Sequence, residues 1–285
     1  MATLRAEAPH ATMLGKPGLP LFLFSTGMMA IGALSVISGD FAFDWQPVPA
    51  FHPGREVFAV LCGLFVIALS TALLFRRTAP IAARVVLPFL IVWWSLKVPA
   101  VIKAPQIEGI WIGFGEIAML LAGGCVFFAQ LSGLHPSGIW NWLTGRRGVR
   151  IAQVIFGLAG IPVGLGHIFY AQITAGLVPS WMPFRLGLAY LTGFAQIACG
   201  LAVLFSMWPR VAALVEASIL ALFALFVWGP DTWLASTPKL AGTPPGPRFP
   251  LTAFLITWVI GASALLIANN SAPLDPHSTD KRHTL

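Results

Sequence analysis

Eight apolar stretches run along this chain, at residues 19–39, 56–75, 81–102, 109–130, 151–170, 186–206, 211–228 and 250–268, separated by shorter polar or proline-bearing links. Each is long enough to cross a hydrocarbon core of about 30 Å as a helix rising 1.5 Å per residue. Lipid offers no partners to backbone amides, so runs this long and this apolar predict helices rather than strands. A buried helix of a soluble protein would account for any one run, but not for eight in succession. The pattern therefore predicts an all-α integral membrane protein with eight transmembrane helices.

Composition agrees with that reading and narrows it. The 285 residues are 57% hydrophobic and only 9% charged, against roughly 25% charged in an average soluble domain. The net charge of +7 is carried by 17 lysines and arginines scattered singly or in pairs at the ends of apolar runs. With no basic tract, these side chains read as topology signals, and no nucleic-acid partner is expected. Cys62, Cys125 and Cys199 all fall inside apolar runs with no CxxC spacing, so neither a disulfide framework nor a zinc site is expected.

Alternating the links between two sides places 11 lysines and arginines on one side and six on the other. The positive-inside rule assigns the richer side to the cytoplasm, and both termini with it. The segments 41–55, 103–108, 171–185 and 229–249 are then expected outside, the last of them an extended proline-rich cap around Thr243 to Pro247. The first run follows Arg5 and Lys16 like the start of a signal peptide, but Ser38-Gly39-Asp40-Phe41 offers no small-x-small cleavage pattern, so a retained helix is expected.

An internal repeat organises the chain further. A shift of 130 positions lays 48–75 on 178–205 with 12 identities in 28, among them Pro49 on Pro179, Pro53 on Pro183, Arg55 on Arg185 and Gly63 on Gly193. Phe51 meets Trp181 between the prolines. After a small adjustment upstream, Gly39-Asp40 meets Gly166-His167. The expected organisation is a cytoplasmic tail over 1–18, a first four-helix repeat over 19–130, a basic cytoplasmic linker over 131–150, a second four-helix repeat over 151–268 and a disordered cytoplasmic tail over 269–285. Four spans per unit is an even number, so the two copies should lie parallel about an axis along the membrane normal.

The second unit carries Gly164-Leu165-Gly166-His167-Ile168-Phe169-Tyr170, then Leu177-Val178-Pro179-Ser180-Trp181-Met182-Pro183-Phe184, Ala189-Tyr190-Leu191-Thr192-Gly193 and Gly200-Leu201. Together these segments resemble the DoxX family over about 155–205 and more softly to 268. The first unit resembles it only through the repeat, with Asp40 in place of His167 and Cys62 in place of Thr192. Members are four-helix bacterial membrane proteins, and the family name derives from a subunit associated with a terminal quinol oxidase and thiosulfate:quinone oxidoreduction. The resemblance implies a tandem duplication in the bacterial inner membrane, close to membrane quinones or to a redox complex.

Ionisable groups inside a span cost about 2.5–3.5 kcal/mol each to insert, so each needs a partner, water or a task. Lys97 near the outer end of the third span and Glu116 two turns into the fourth are placed to form an ion pair. His167 ends the fifth span, Tyr190 starts the sixth, Gln196 lies deeper on it, and Trp181 belongs to the turn above. A histidine beside a phenol and an amide suits a quinone carbonyl or a proton relay, although a histidine bonded to a backbone carbonyl is the plainer alternative. Glu216, two turns into the seventh span, is either a proton-path carboxyl or a satisfied inter-helix contact. Gly160 with Gly164, and Gly123 with Gly124, are packing devices. His167 is the only histidine at membrane depth, since His10, His52, His135, His277 and His283 fall in tails or loops. Haem ligation is therefore not expected.

The expected function is a redox-associated membrane subunit that accepts a quinone or similar amphipathic ligand near the outer leaflet, through His167, Tyr190, Gln196, Trp181, Lys97, Glu116 and Glu216. No catalytic residue and no metal ligand is assigned. The alternatives are a non-catalytic scaffold or assembly partner for another membrane complex, and a transporter of a small molecule or lipid.

Overall fold

The computed structural model describes residues 18–51, 53–138, 140–236 and 246–271. Residues 1–17 and 272–285 of the tails, His52, Lys239 and residues 243–245 of the proline-rich cap lie outside the described residues, while 269–270, expected in the disordered tail, continue the last helix and Ser271 is buried. Eight helices long and apolar enough to cross a membrane are present, and no strand occurs among the described residues. They are α1 Leu19–Ser38, α2 Arg55–Leu73, α3 Ala79–Lys103, α4 Glu108–Leu131, α5 Gly145–Phe169, α6 Arg185–Leu204, α7 Pro209–Ala235 and α8 Arg248–Asn270. The chain is an all-α integral membrane protein.

Local sequence explains where these helices start and stop. Pro20, Pro80 and Pro209 sit in the first turns of α1, α3 and α7, where a missing amide hydrogen removes nothing the helix uses. Helix α1 ends at Gly39, whose φ of 60° is left-handed and whose amide donates to the Ser35 carbonyl, a conformation glycine adopts without steric cost. Pro99 interrupts α3, which turns at Leu96–Lys97 before resuming over Val98–Lys103.

Four expectations need correcting. Helix α5 begins at Gly145, so Arg146, Arg147 and Arg150 belong to its first turns rather than to a linker, and a short helix, Trp140–Leu143, precedes it. Helix α7 does not stop near 228: it widens into a π-turn at Ala224–Trp228 and continues over Gly229–Ala235. Pro230 lies just beyond that turn and cannot donate to the ladder, which is a physical cause for the widening. The link after α5 is partly helical, over Ala171–Leu177. Finally, the segment after α1 folds inward: Phe41, Ala42, Trp45 and Gln46 are buried.

Neighbours in sequence are neighbours in space. Each helix packs on the next, α8 returns to pack on α1, and α4 and α8 meet across the middle. These two are the most enclosed helices. The outer faces carry exposed apolar side chains such as Leu61 and Leu64 on α2 and Leu191 and Phe194 on α6, as a lipid solvent requires. One end of the bundle, the lid end, carries the described residues of the links at 39–51, 53–54, 104–107, 170–184, 236 and 246–247. The other carries Arg76, Arg77, Arg84, Arg146, Arg147, Arg150 and Arg210, and is called the basic end.

Two helix crossings rest on paired glycines. A methyl group on Gly32 would lie 2.6 Å from the Gly63 carbonyl oxygen of α2, and one on Gly164 would lie 2.6 Å from the Gly193 carbonyl oxygen of α6. The helix backbones therefore touch, which is how spans gain packing in a solvent as apolar as themselves. Gly164→Ala should force α5 and α6 apart and cost about 1 kcal/mol, read as a lower unfolding midpoint in detergent. The same substitution at exposed Gly176, which meets nothing within 4 Å, should leave the midpoint unchanged.

Candidate functional site

A cavity of about 340 Å³ opens toward the lid end between α4, α5, α6, α7 and α8. Glu116, His167 and Gln196 all line it, together with Thr192, Phe223 and Trp228. The fold thus gathers three of the seven residues expected from sequence into one cavity that is otherwise mostly apolar. Val178, Pro179 and Met182 from the proline-flanked link after α5 cover it. The π-turn of α7 supplies its side wall through Phe226, Val227 and Trp228.

His167 is held on two sides. Its ring stacks on Phe223 with centroids 5.2 Å apart and planes 15° from parallel, and its Nδ1 lies 3.1 Å from the Thr192 hydroxyl. That hydroxyl is itself 2.9 Å from the Leu188 carbonyl and 3.0 Å from the Ala189 carbonyl. A hydroxyl has one proton to give. With the proton directed to its own helix, Thr192 accepts from Nδ1–H in the tautomer that leaves Nε2 of His167 as an acceptor. The plainer alternative, a histidine tied to a backbone carbonyl, is replaced by one tied to a threonine.

Below His167 the polar line continues inward. Gln196 Nε2 donates to Glu216 Oε1 at 3.1 Å, and both residues are 1% exposed. Gln196 Oε1 and Glu216 Oε2 have no partner. Glu216 therefore stands behind the cavity and is joined to it through Gln196.

On the opposite wall, Glu116 accepts from Trp45 Nε1 at 2.6 Å. The ion pair expected between Lys97 and Glu116 does not form: Lys97 Nζ donates to the Asp44 carbonyl at 2.5 Å. The inward fold of the 41–46 segment lies between them, with Trp45 further pinned because its carbonyl accepts from Trp93 Nε1 at 2.8 Å. The two side chains are thus linked through adjacent residues of one buried turn. Sequence reasoning treated that segment as an outer loop and so missed Trp45.

Four expected residues do not line the cavity: Glu216 behind it, Lys97 at the Asp44 carbonyl, Tyr190 and Trp181. Tyr190 is 40% exposed on α6, two residues before Thr192 and so roughly 200° round the helix from the side that meets His167, and Trp181 is 70% exposed. Trp181 touches the wall only from outside, edge-on to Phe226 with centroids 6.1 Å apart. The positions that the repeat aligns with His167 and Thr192 also behave differently. Asp40 bonds Arg55 and Arg248, and the Cys62 thiol accepts from Gln46 Nε2 at 3.7 Å.

The Asp40 cluster was not anticipated. One carboxylate oxygen binds Arg55 and the other accepts from Arg248 at 2.9 Å, while Arg248 also donates to the Phe41 carbonyl. Three helix ends, those of α1, α2 and α8, are tied at the lid end. Burial alone would push the Asp40 carboxyl up, but the hydrogen bonds from Arg248 and Arg55 outweigh it and hold the group below the usual carboxylate range.

The fold and cavity define a multi-pass membrane protein whose interior holds one polar line beneath a lid. No family model, no curated protein and no solved structure matches the chain.

Proposed function

We propose that this protein binds a quinone or a similar amphipathic hydroxy- or carbonyl-bearing ligand in the lidded cavity, as a redox-associated subunit of a bacterial inner membrane. The observation that carries the reading is the convergence of His167, Gln196 and Glu116 on one apolar cavity. Its volume falls within the range of small-molecule sites, and few polar groups on apolar walls is their usual chemistry. A bound quinone would take up two electrons with two protons, and its quinol would release them. The chain's part is to seat the ring against Phe223 and Trp228, to accept a hydroxyl at Nε2 of His167, and to exclude water with Pro179 and Met182.

The resemblance of 155–205 to the DoxX family supports the redox association. The paired-glycine crossings at Gly32–Gly63 and Gly164–Gly193, and the meeting of α4 with α8, are what a tandem parallel duplication would produce. In this reading the first half, where Trp45 and Gln46 are buried, is structural, and the basic end faces the cytoplasm.

Trp228 lines the cavity and reports occupancy. A short-chain benzoquinol added to the detergent-purified protein should quench part of the tryptophan fluorescence saturably, at micromolar concentration. Quenching that rises linearly without saturation removes the proposal.

The π-turn and Pro230 in α7 favour one second reading. A helix discontinuity beside a polar cavity is the arrangement transporters use for a substrate site. Flux of a labelled cavity ligand across proteoliposomes containing the protein would support that role, and a flat time course would leave binding alone.

A further inference from the structure

A second concavity, separate from the lidded cavity, runs along the outside of the bundle between α3, α4 and α5, with a volume of about 670 Å³. On α4 it extends from Glu108 to Leu121, roughly 20 Å at 1.5 Å per residue. Its floor and sides are almost wholly apolar. It also faces outward, since Leu158 on its rim is 53% exposed, so a hydrocarbon chain of the surrounding lipid can enter from the side.

The lid end of this groove is chemically unlike the rest. Both carboxylate oxygens of Glu108 and the indole Nε1 of Trp94 are shielded from solvent and have no hydrogen-bond partner, and both residues line the groove. Two acceptor oxygens and one donor therefore stand open at the end where a lipid headgroup would lie. The neighbouring Trp111 is not open in this way, because its Nε1 donates to the Pro105 carbonyl at 2.9 Å. No cation of the described residues pairs with Glu108.

A contrasting groove between α7, α8 and α1, of about 260 Å³, shows what a purely apolar furrow looks like here. No carboxyl lines it, and its Trp258 Nε1 is satisfied by the Leu23 carbonyl at 2.9 Å. Of these two outer grooves, the α3–α4–α5 one is thus the one with unpaired polar atoms among the described residues.

We infer that this groove is a binding site for a phospholipid with a primary ammonium headgroup, its acyl chain lying along α4 and α5 and its ammonium donating to Glu108. Charge complementarity selects the headgroup. An ammonium carries three N–H donors, which two carboxylate oxygens can accept, and the indole N–H of Trp94 is left to donate to an ester or phosphate oxygen of the same lipid. A quaternary trimethylammonium has no N–H to give, and an anionic glycerol headgroup would bring like charge to Glu108. The site does not depend on what occupies the lidded cavity.

The test is competition among phosphatidylethanolamine, phosphatidylcholine and phosphatidylglycerol of identical acyl chains, added in equal amounts to the full chain in mild detergent and read as retained lipid by native mass spectrometry. The wild type should retain phosphatidylethanolamine over phosphatidylcholine by about tenfold, the scale of one charge-assisted hydrogen-bonded contact. E108Q should lose that preference, and W94F should lower retention of all three lipids. Glu108 makes no bond that E108Q would break, and a monodisperse E108Q peak confirms that the protein is folded. In the same series, Ile161→Trp fills the groove and should lower retention without altering the order of preference. Equal retention of the three lipids by the wild type overturns the inference, as does an E108Q protein that keeps the wild-type preference.

Discussion

Replacing Thr192 by valine should reverse which redox form of a quinone the protein prefers. In the wild type the Thr192 hydroxyl, engaged with the Leu188 and Ala189 carbonyls, accepts from His167 Nδ1, so Nε2 has only a lone pair to offer. Such a ring favours a quinol hydroxyl over a quinone carbonyl. Valine has nearly the same shape but cannot accept, so the Nδ1–H tautomer loses its advantage and the Nε2–H tautomer, which suits a carbonyl, becomes populated. One neutral hydrogen bond gained or lost is worth about 1 kcal/mol and an unpaired buried acceptor somewhat more, so the ratio of quinol to quinone affinity should fall about tenfold. His167→Leu removes both options and should weaken quinol binding by about the same factor while leaving quinone binding nearly unchanged. Titrating both redox forms against both variants, with tryptophan quenching as the readout, settles the matter. A ratio that stays constant in Thr192→Val means that Thr192 does not set the tautomer.

The eight spans were legible because lipid imposes a requirement that shows residue by residue: a helix must stay apolar for its whole length. What happened between the spans was less visible. The 41–46 segment contains Asp44 and Gln46 and follows a glycine, so it reads as a surface link, yet Trp45 is 8% exposed and bridges α3 and α4 through two hydrogen bonds. Nothing local distinguishes a tryptophan that folds inward from one at the headgroup level. Lys97 was misassigned for the same reason, since proximity of α3 and α4 suggested Glu116 as its partner while the true partner, a backbone carbonyl, belongs to a segment 53 residues away.

The cavity itself was half readable. His167, Gln196 and Glu116 stood out because polar groups inside spans demand an explanation, and the same signal led to Glu216. Tyr190 and Trp181 did not fit, because sequence gives their depth in the membrane but not the azimuth of their helix or turn. The groove between α3, α4 and α5 was missed because Glu108 sits at a span terminus, where a carboxyl ordinarily counts as solvated.

Asp40→Ala should be the most destabilising single change at the lid end. It leaves Arg55 and Arg248, each with a side chain only 25% exposed, without their shared counter-ion. Hydrogen bonds to a charged group contribute about 1.5–3 kcal/mol, and stranding a partly buried cation adds to the loss, so the cost should be about 3 kcal/mol. The ends of α1, α2 and α8 would separate first, because among the described residues Asp40 is the anion that both arginines share. The effect should also depend on pH in a defined direction. The groups facing Asp40 are Arg55, Arg248 and the Phe41 amide. The carboxyl is held below the usual carboxylate range, so its contribution is fully present above that range and is lost as the pH falls through the lowered value. Melting curves of wild type and Asp40→Asn in the same detergent should therefore differ by a constant interval near neutral pH and converge in strong acid. An interval that stays constant into strong acid, or one that opens only at alkaline pH, would mean that another group holds these three helix ends together.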